Sequence, residues 1–276
     1  MQIKPRSFPL SILREAVPRH WLGGSALATH LANGVNLLFP AGERFFVRSV
    51  RHYLKQIEND PALVEAVRGF AGQEGHHARA HEEVFELLER QGYEIRGFLR
   101  AYEALAFGVI EKAAPPALRL ATTAACEHFT AVMAESFLKE MSDQPNVDAA
   151  MRKLLSWHAC EEIEHRAVAF EVFQRVDGRY AMRIAGLAMA TTLLAGFWIA
   201  GTRHLLAQEK AGVLRTIRRE GAAIKERQPF SRRVFGRGIR EYVARDFHPS
   251  HRTDLDDLAA AFLKKFDVMN QPTAVA

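Results

Sequence analysis

Cysteine is nearly absent. Cys126 and Cys160 are the only two in 276 residues, which excludes a disulfide framework and a Cys-ligated iron–sulfur cluster. No Gly-rich turn of the nucleotide-binding kind occurs, so redox chemistry in this chain would draw its electrons from elsewhere. The regularly spaced Thr/Val/Tyr-rich runs that announce strands are also missing, and with only 11 Pro the pattern predicts helices. The opening Met1 to His20 lacks the apolar core of a signal peptide, and a reducing cytoplasm is expected. What is present is an ordinary globular balance, 48% hydrophobic and 25% charged, which excludes a disordered chain and a polytopic membrane protein.

The net charge of +5 is unevenly spread. From Arg203 to Arg252 there are thirteen Lys/Arg against five Asp/Glu, so the remainder is slightly acidic. No zinc-finger spacing or RNA-binding aromatic motif accompanies this excess, and nucleic acid is not expected as a partner. A solvated face, a membrane surface or a partner are the readings that fit it, and a homodimer is among the partners expected.

Helical periodicity and breakers divide the chain into an extension (1–23), a bundle (24–180), later helices packed on it (181–269) and a tail (270–276). Within the bundle, helices are predicted from Gly24 to Phe39, from Pro40 to Ile57 after a break at Pro40 and Gly42, and from Asp60-Pro61 to Gln91. A crossover from Phe98 to Ala113 follows, then long helices from Pro116 to Met141 and from Val147 to Val176. Ile184 to Thr202 carries no charge over nineteen residues and fits either membrane contact or burial against protein. Basic amphipathic helices are predicted over Val213 to Arg227, Ser231 to Arg245 and Asp254 to Phe266.

Two of the long helices carry Glu-x-x-His, as Glu74/His77 and Glu162/His165. Three residues apart on a helix is one face, where a carboxylate and an imidazole can meet one ion. With 23 Glu and 12 His about one such pair is expected by composition, so the setting decides. Both pairs lie in apolar stripes: Val67, Phe70, Val84 and Leu88 flank the first, Leu154 and Val172 the second. Glu43 shares a stripe with Phe46, Val47 and Val50, while Glu127 sits among Thr123, Ala124, Thr130, Ala131 and Ala134. Carboxylates aimed at a core require a compensating charge.

Glu, Glu-x-x-His, Glu, Glu-x-x-His in chain order is the arrangement by which ferritin-like four-helix bundles hold two metal ions. The fold expected is therefore all-α, a ferritin-like bundle with additional C-terminal helices. His158, one turn before Glu162, makes the set similar to that of the di-iron aminoarene N-oxygenases. That resemblance implies a metal set of Glu43, Glu74, His77, Glu127, His158, Glu162 and His165. Over more of its length the chain resembles a bacterial family named predicted metal-dependent hydrolases, through Phe39-Pro40-Ala41-Gly42-Glu43-Arg44-Phe45-Phe46 and Gln73-Glu74-x-x-His77-x-x-x-His81.

The leading expectation is a di-iron oxygenase holding two iron ions, with manganese as the substitute. Dioxygen would be activated between the ions, Glu127 and Glu162 would shift as catalytic carboxylates, an external donor would supply electrons, and the substrate would be small and apolar or aromatic. The alternatives are di-metal hydrolysis of an ester, amide or phosphoryl group, and non-catalytic iron binding. Among neighbours, His81 is expected to support the ligands, and Glu161 stands as the alternative to Glu162 on the same face. Glu164, His128 and His76 are expected to face elsewhere, and Cys126 and Cys160 to be structural.

Overall fold

The computed structural model describes residues 3–14, 16–227 and 232–269, and among them the chain is all-α with no strand. Breakers and caps set the elements. Ser25 caps α1 (Ala26–Asn36) by accepting from the Ala28 N–H. Asp60 caps α3 (Pro61–Arg90) through Leu63 N, with Pro61 in the first turn, and Gly92 at φ +88° ends it in a conformation that suits glycine. Between them α2 spans Phe39–Arg51 and a 3-10 turn covers Leu54–Ile57. The break expected at Pro40 and Gly42 falls earlier, at Leu37-Leu38, because Pro40 fits the first turn of α2, where its missing N–H costs nothing.

The crossover comprises α4 (Arg96–Glu103), a π-helical stretch (Ala104–Ile110) and the short α5 (Glu111–Ala113). Then come α6 (Pro116–Glu140), α7 (Ala149–His165) and α8 (Val168–Val176). The single helix expected from Val147 to Val176 is thus interrupted at Arg166-Ala167. The Arg166 guanidinium turns there to donate to the carbonyls of Pro249 (3.2 Å) and Arg252 (3.0 Å) and to Asp256 (2.7 Å).

The uncharged run lies inside a longer helix, α9 (Tyr180–Ala207), followed by α10 (Gly212–Arg227), a π-helical stretch (Arg232–Arg237), α11 (Gly238–Tyr242), a 3-10 turn (Pro249–His251) and α12 (Thr253–Met269). Ser231 and the tail from Asn270 lie outside the described residues. α9 is long and apolar enough to cross a membrane, and 28% of its most apolar window is buried. Its inner face packs along α6 and α1. One hydrophobic core runs through α2, α3, α6 and α8 and on to Trp198, Val234 and Tyr242, so the later helices share the core of the bundle. Both cysteines are free.

Candidate metal centre

Four helices deliver the acidic and imidazole side chains to one buried place: α2 brings Glu43, α3 Glu74 and His77, α6 Glu127, and α7 His158, Glu162 and His165. Each of the seven is at most 5% exposed. Glu74, His77, Glu162 and His165 offer ligand atoms within 4.8 Å of one another, and Glu43, His77 and His158 form a second such group. His77 belongs to both, so the two groups share a wall.

The separations are those of ligands around an ion. His77 Nδ1 lies 3.4 Å from Glu162 Oε1 and 3.8 Å from Glu74 Oε2. His165 Nε2 is 3.6 Å from both Glu74 Oε1 and Glu162 Oε1. His158 Nε2 is 3.8 Å from Glu43 Oε1. These are too long for hydrogen bonds, whereas two donors each about 2.1 Å from one ion stand about 3 to 3.6 Å apart. Each imidazole faces a carboxylate of the other helix as well as one of its own.

The outer ring nitrogens fix which lone pairs point inward. His77 Nε2–H donates to Glu161 Oε2 at 3.0 Å, leaving Nδ1 as an inward acceptor. His165 Nδ1–H donates to Glu127 Oε2 at 2.9 Å, leaving Nε2 inward. Asn36 Oδ1 accepts from His81 Nδ1–H, so His81 Nε2 is the acceptor for His158 Nδ1–H at 3.2 Å, and His158 Nε2 also presents a lone pair to the centre. That lone pair stands 2.8 Å from Glu162 Oε1, two acceptors in contact that need a cation or a proton between them.

Both oxygens of Glu43 and of Glu74, Oε1 of Glu127, Oε2 of Glu162, Nδ1 of His77 and Nε2 of His165 are buried without a hydrogen-bond partner. Leaving so many lone pairs unsatisfied would cost several kcal/mol for each charged group. Four carboxylates and three neutral imidazoles are neutralised by two divalent cations, and the donor set therefore fits a dinuclear metal site.

Without that charge the acids behave as crowded anions. Burial, then the neighbouring Glu74, pushes Glu43 well above the usual carboxylate range. Burial raises Glu74 to about 7 and, with Glu162 nearby, raises Glu127 strongly. Glu162 is the exception: burial opposes its ionisation, yet His165 and His158 hold it well below the usual range. Burial, then His158 and His77, holds His81 well below an ordinary imidazole, which keeps it neutral.

A contrasting cluster shows what satisfied groups look like. His20, His30 and Glu209 also converge, but Glu209 Oε1 accepts from His30 (2.9 Å), His20 (3.2 Å) and the Tyr93 hydroxyl, with Arg19 at 3.4 Å. Burial opposes its ionisation, but those donors hold Glu209 at about 2. No carboxylate charge is left over there.

Six of the seven expected ligands fall in the two groups, while Glu127 adjoins them through His165. His81 supports His158, as expected. Glu161 does not replace Glu162: it turns to His77 Nε2 and to Arg6, whose guanidinium also binds Glu164 at 2.6 Å. Glu164, His76 and His128 face other partners, namely Arg6 and Gln73, the Arg6 carbonyl and the Gly238 carbonyl. Asn36 and Arg6 were not anticipated. Neither stands at a motif spacing, and only the tertiary fold brings them to the centre.

A cavity of about 220 Å³ reaches the cluster at His158 and Glu162 and is otherwise walled by side chains such as Phe39, Met133, Phe137 and Trp198. Fold and site together define an all-α bundle with a buried Glu/His centre suited to two metal ions. The chain belongs to the family described as predicted metal-dependent hydrolases, whose model matches residues 4–253. No curated protein and no solved structure shows significant similarity to it. Family membership overturns the oxygenase expectation: the match is to metal-dependent hydrolysis, the alternative reading, and hydrolysis calls for neither dioxygen nor an electron donor.

Proposed function

We propose that this chain hydrolyses an ester, amide or phosphoryl bond in a small, largely apolar substrate at a dinuclear centre held by Glu43, Glu74, His77, Glu127, His158, Glu162 and His165. The observation that carries the reading is the set of partnerless buried lone pairs converging beside an apolar cavity. Oxygen and nitrogen donors without thiolate suit iron or manganese. When bound, two such cations lower the pKa of a water and polarise a carbonyl or phosphoryl oxygen.

The chain's own groups have distinct tasks. Glu162 and His158 are the centre's residues at the cavity wall, so the scissile group belongs there. On this reading Glu162 Oε2, buried and without a partner, accepts a hydrogen bond from the attacking water and orients it. Glu127 keeps the His165 ring aimed inward, and Asn36 does the same for His158 through His81. Phe39, Met133, Phe137 and Trp198 exclude bulk water from the reacting bond.

The test is an anaerobic assay of chelator-stripped protein reloaded with Fe2+ or Mn2+, on p-nitrophenyl acyl esters and phosphomonoesters. Turnover that returns with metal, needs no dioxygen and is lost in Glu162→Gln is expected. Equal turnover by the stripped protein, or a strict requirement for dioxygen, would contradict the reading.

A further inference from the structure

Among the described residues, nothing covers the outward side of α9. Ala185, Ala188, Thr192, Gly196 and Ile199 are all exposed and recur at helical spacing, and Ile199 is 69% exposed. The π-helical stretch presents Leu105 at 49% and Val109 at 59% exposed. Between these two elements lies a second cavity of about 90 Å³, walled by Phe107 and Ile110 on one side and Met189, Leu193 and Phe197 on the other. Phe39 and Thr130 line both cavities, so the outer pocket and the one that reaches Glu162 and His158 adjoin at these two side chains.

Two observations decide what covers this face. The inner side of α9 is locked to protein: a Cβ added at Gly186 would strike Ala121 of α6, and one at Gly34 of α1 would strike Thr202. Lipid therefore cannot surround α9, and its outer side is the one left uncovered among the described residues. Charge then selects the partner. Arg203 continues the exposed stripe, and α10, beginning one turn beyond, exposes Arg215, Arg218 and Arg219 beside Leu214 at 76% and Ile217 at 46%. Exposed apolar residues interleaved with arginines are the pattern of a helix lying in an anionic lipid interface.

We propose that the face formed by α9 and residues 104–110 seats the protein on one leaflet of an anionic bilayer, and that the two cavities admit the acyl chain of an amphiphilic substrate from that leaflet. The substrate half rests on the hydrolase reading; the membrane half does not. Gly42 keeps the outer cavity open, since a Cβ there meets nothing nearer than the Tyr102 hydroxyl at 3.8 Å. A side chain at this helical position starts from a Cβ with no close neighbour.

The experiment is flotation of the full chain with phosphatidylcholine vesicles with and without phosphatidylglycerol, beside binding of a dansyl-labelled long-chain fatty acid followed by fluorescence. Flotation is expected with phosphatidylglycerol and should weaken with salt. It should disappear in V109E and I199E, which alter exposed positions and should leave circular dichroism and metal content unchanged. R215Q/R218Q should weaken it by roughly tenfold or more. G42L should lower fatty-acid affinity while flotation persists. Protein that stays unbound to both vesicle types overturns the membrane half, and a dimer split by I199E would then assign the face to a second copy. Fatty-acid binding that is absent or unaffected by G42L overturns the acyl route. None of these readouts requires turnover, so failure of the hydrolase reading would be seen separately.

Discussion

Three imidazoles, each with its outer N–H engaged and its other ring nitrogen turned toward the carboxylates, carry the chemistry at the residue scale. The outer partners Glu161, Glu127 and the His81–Asn36 pair set the tautomers, and the inner atoms face carboxylate oxygens that lack donors. Replacing Asn36 by Leu removes the acceptor that holds His81, so metal affinity should fall about 10- to 100-fold in a chelator competition. Asn36→Asp keeps an acceptor and should retain most of it. Equal affinity in Asn36→Leu would show that this relay does not position His158. Five of the seven inner residues were legible because helix geometry converts spacings of three and four into a shared face, and Glu43 and Glu127 because each sets a charge in an apolar stripe. Asn36, Glu161 and Arg6 were not, because their roles depend on which helices meet.

At the scale of elements, close approach explains where α9 sits. Gly186 lies against the backbone of α6 beside Ala121, and Gly34 against Thr202. Gly186→Val should overpack this contact and destabilise the protein by about 1–3 kcal/mol in urea unfolding, with the midpoint lowered. An unchanged midpoint would mean that the two helices are not in contact there. The sequence announced α9 by its lack of charge but left its environment open, since an apolar run looks the same facing lipid or protein. The interruption after α7 was hidden for a related reason: the pattern from Val147 to Val176 stays helical, and the pull of Pro249, Arg252 and Asp256 on Arg166 comes from segments far along the chain.

For the whole molecule, the basic C-terminal third is partly spent inside the fold. Glu135 of α6 accepts from Lys139 (2.7 Å), Arg252 (2.7 Å) and Arg237, joining the bundle to the segments on either side of α11. Burial opposes its ionisation, but these donors hold it down to about 2 from an ordinary 4.5. A depressed carboxylate stabilises the folded state above its unfolded pKa, and that contribution fades as pH falls from about 4.5 toward 2. Glu135→Gln should therefore lower stability at pH 7 and flatten the acid limb of thermal unfolding in that window. An acid limb identical to that of the parent would remove Glu135 from the account.

The central claim is that the buried carboxylates and imidazoles hold two cations, and metal stoichiometry tests it most directly. Protein stripped, reloaded with Fe2+ or Mn2+ and desalted should carry two ions per chain by mass spectrometry, and Glu74→Ala or Glu162→Ala, still helical by circular dichroism, should carry one or none. A parent without bound metal, or variants that keep both ions, would contradict it.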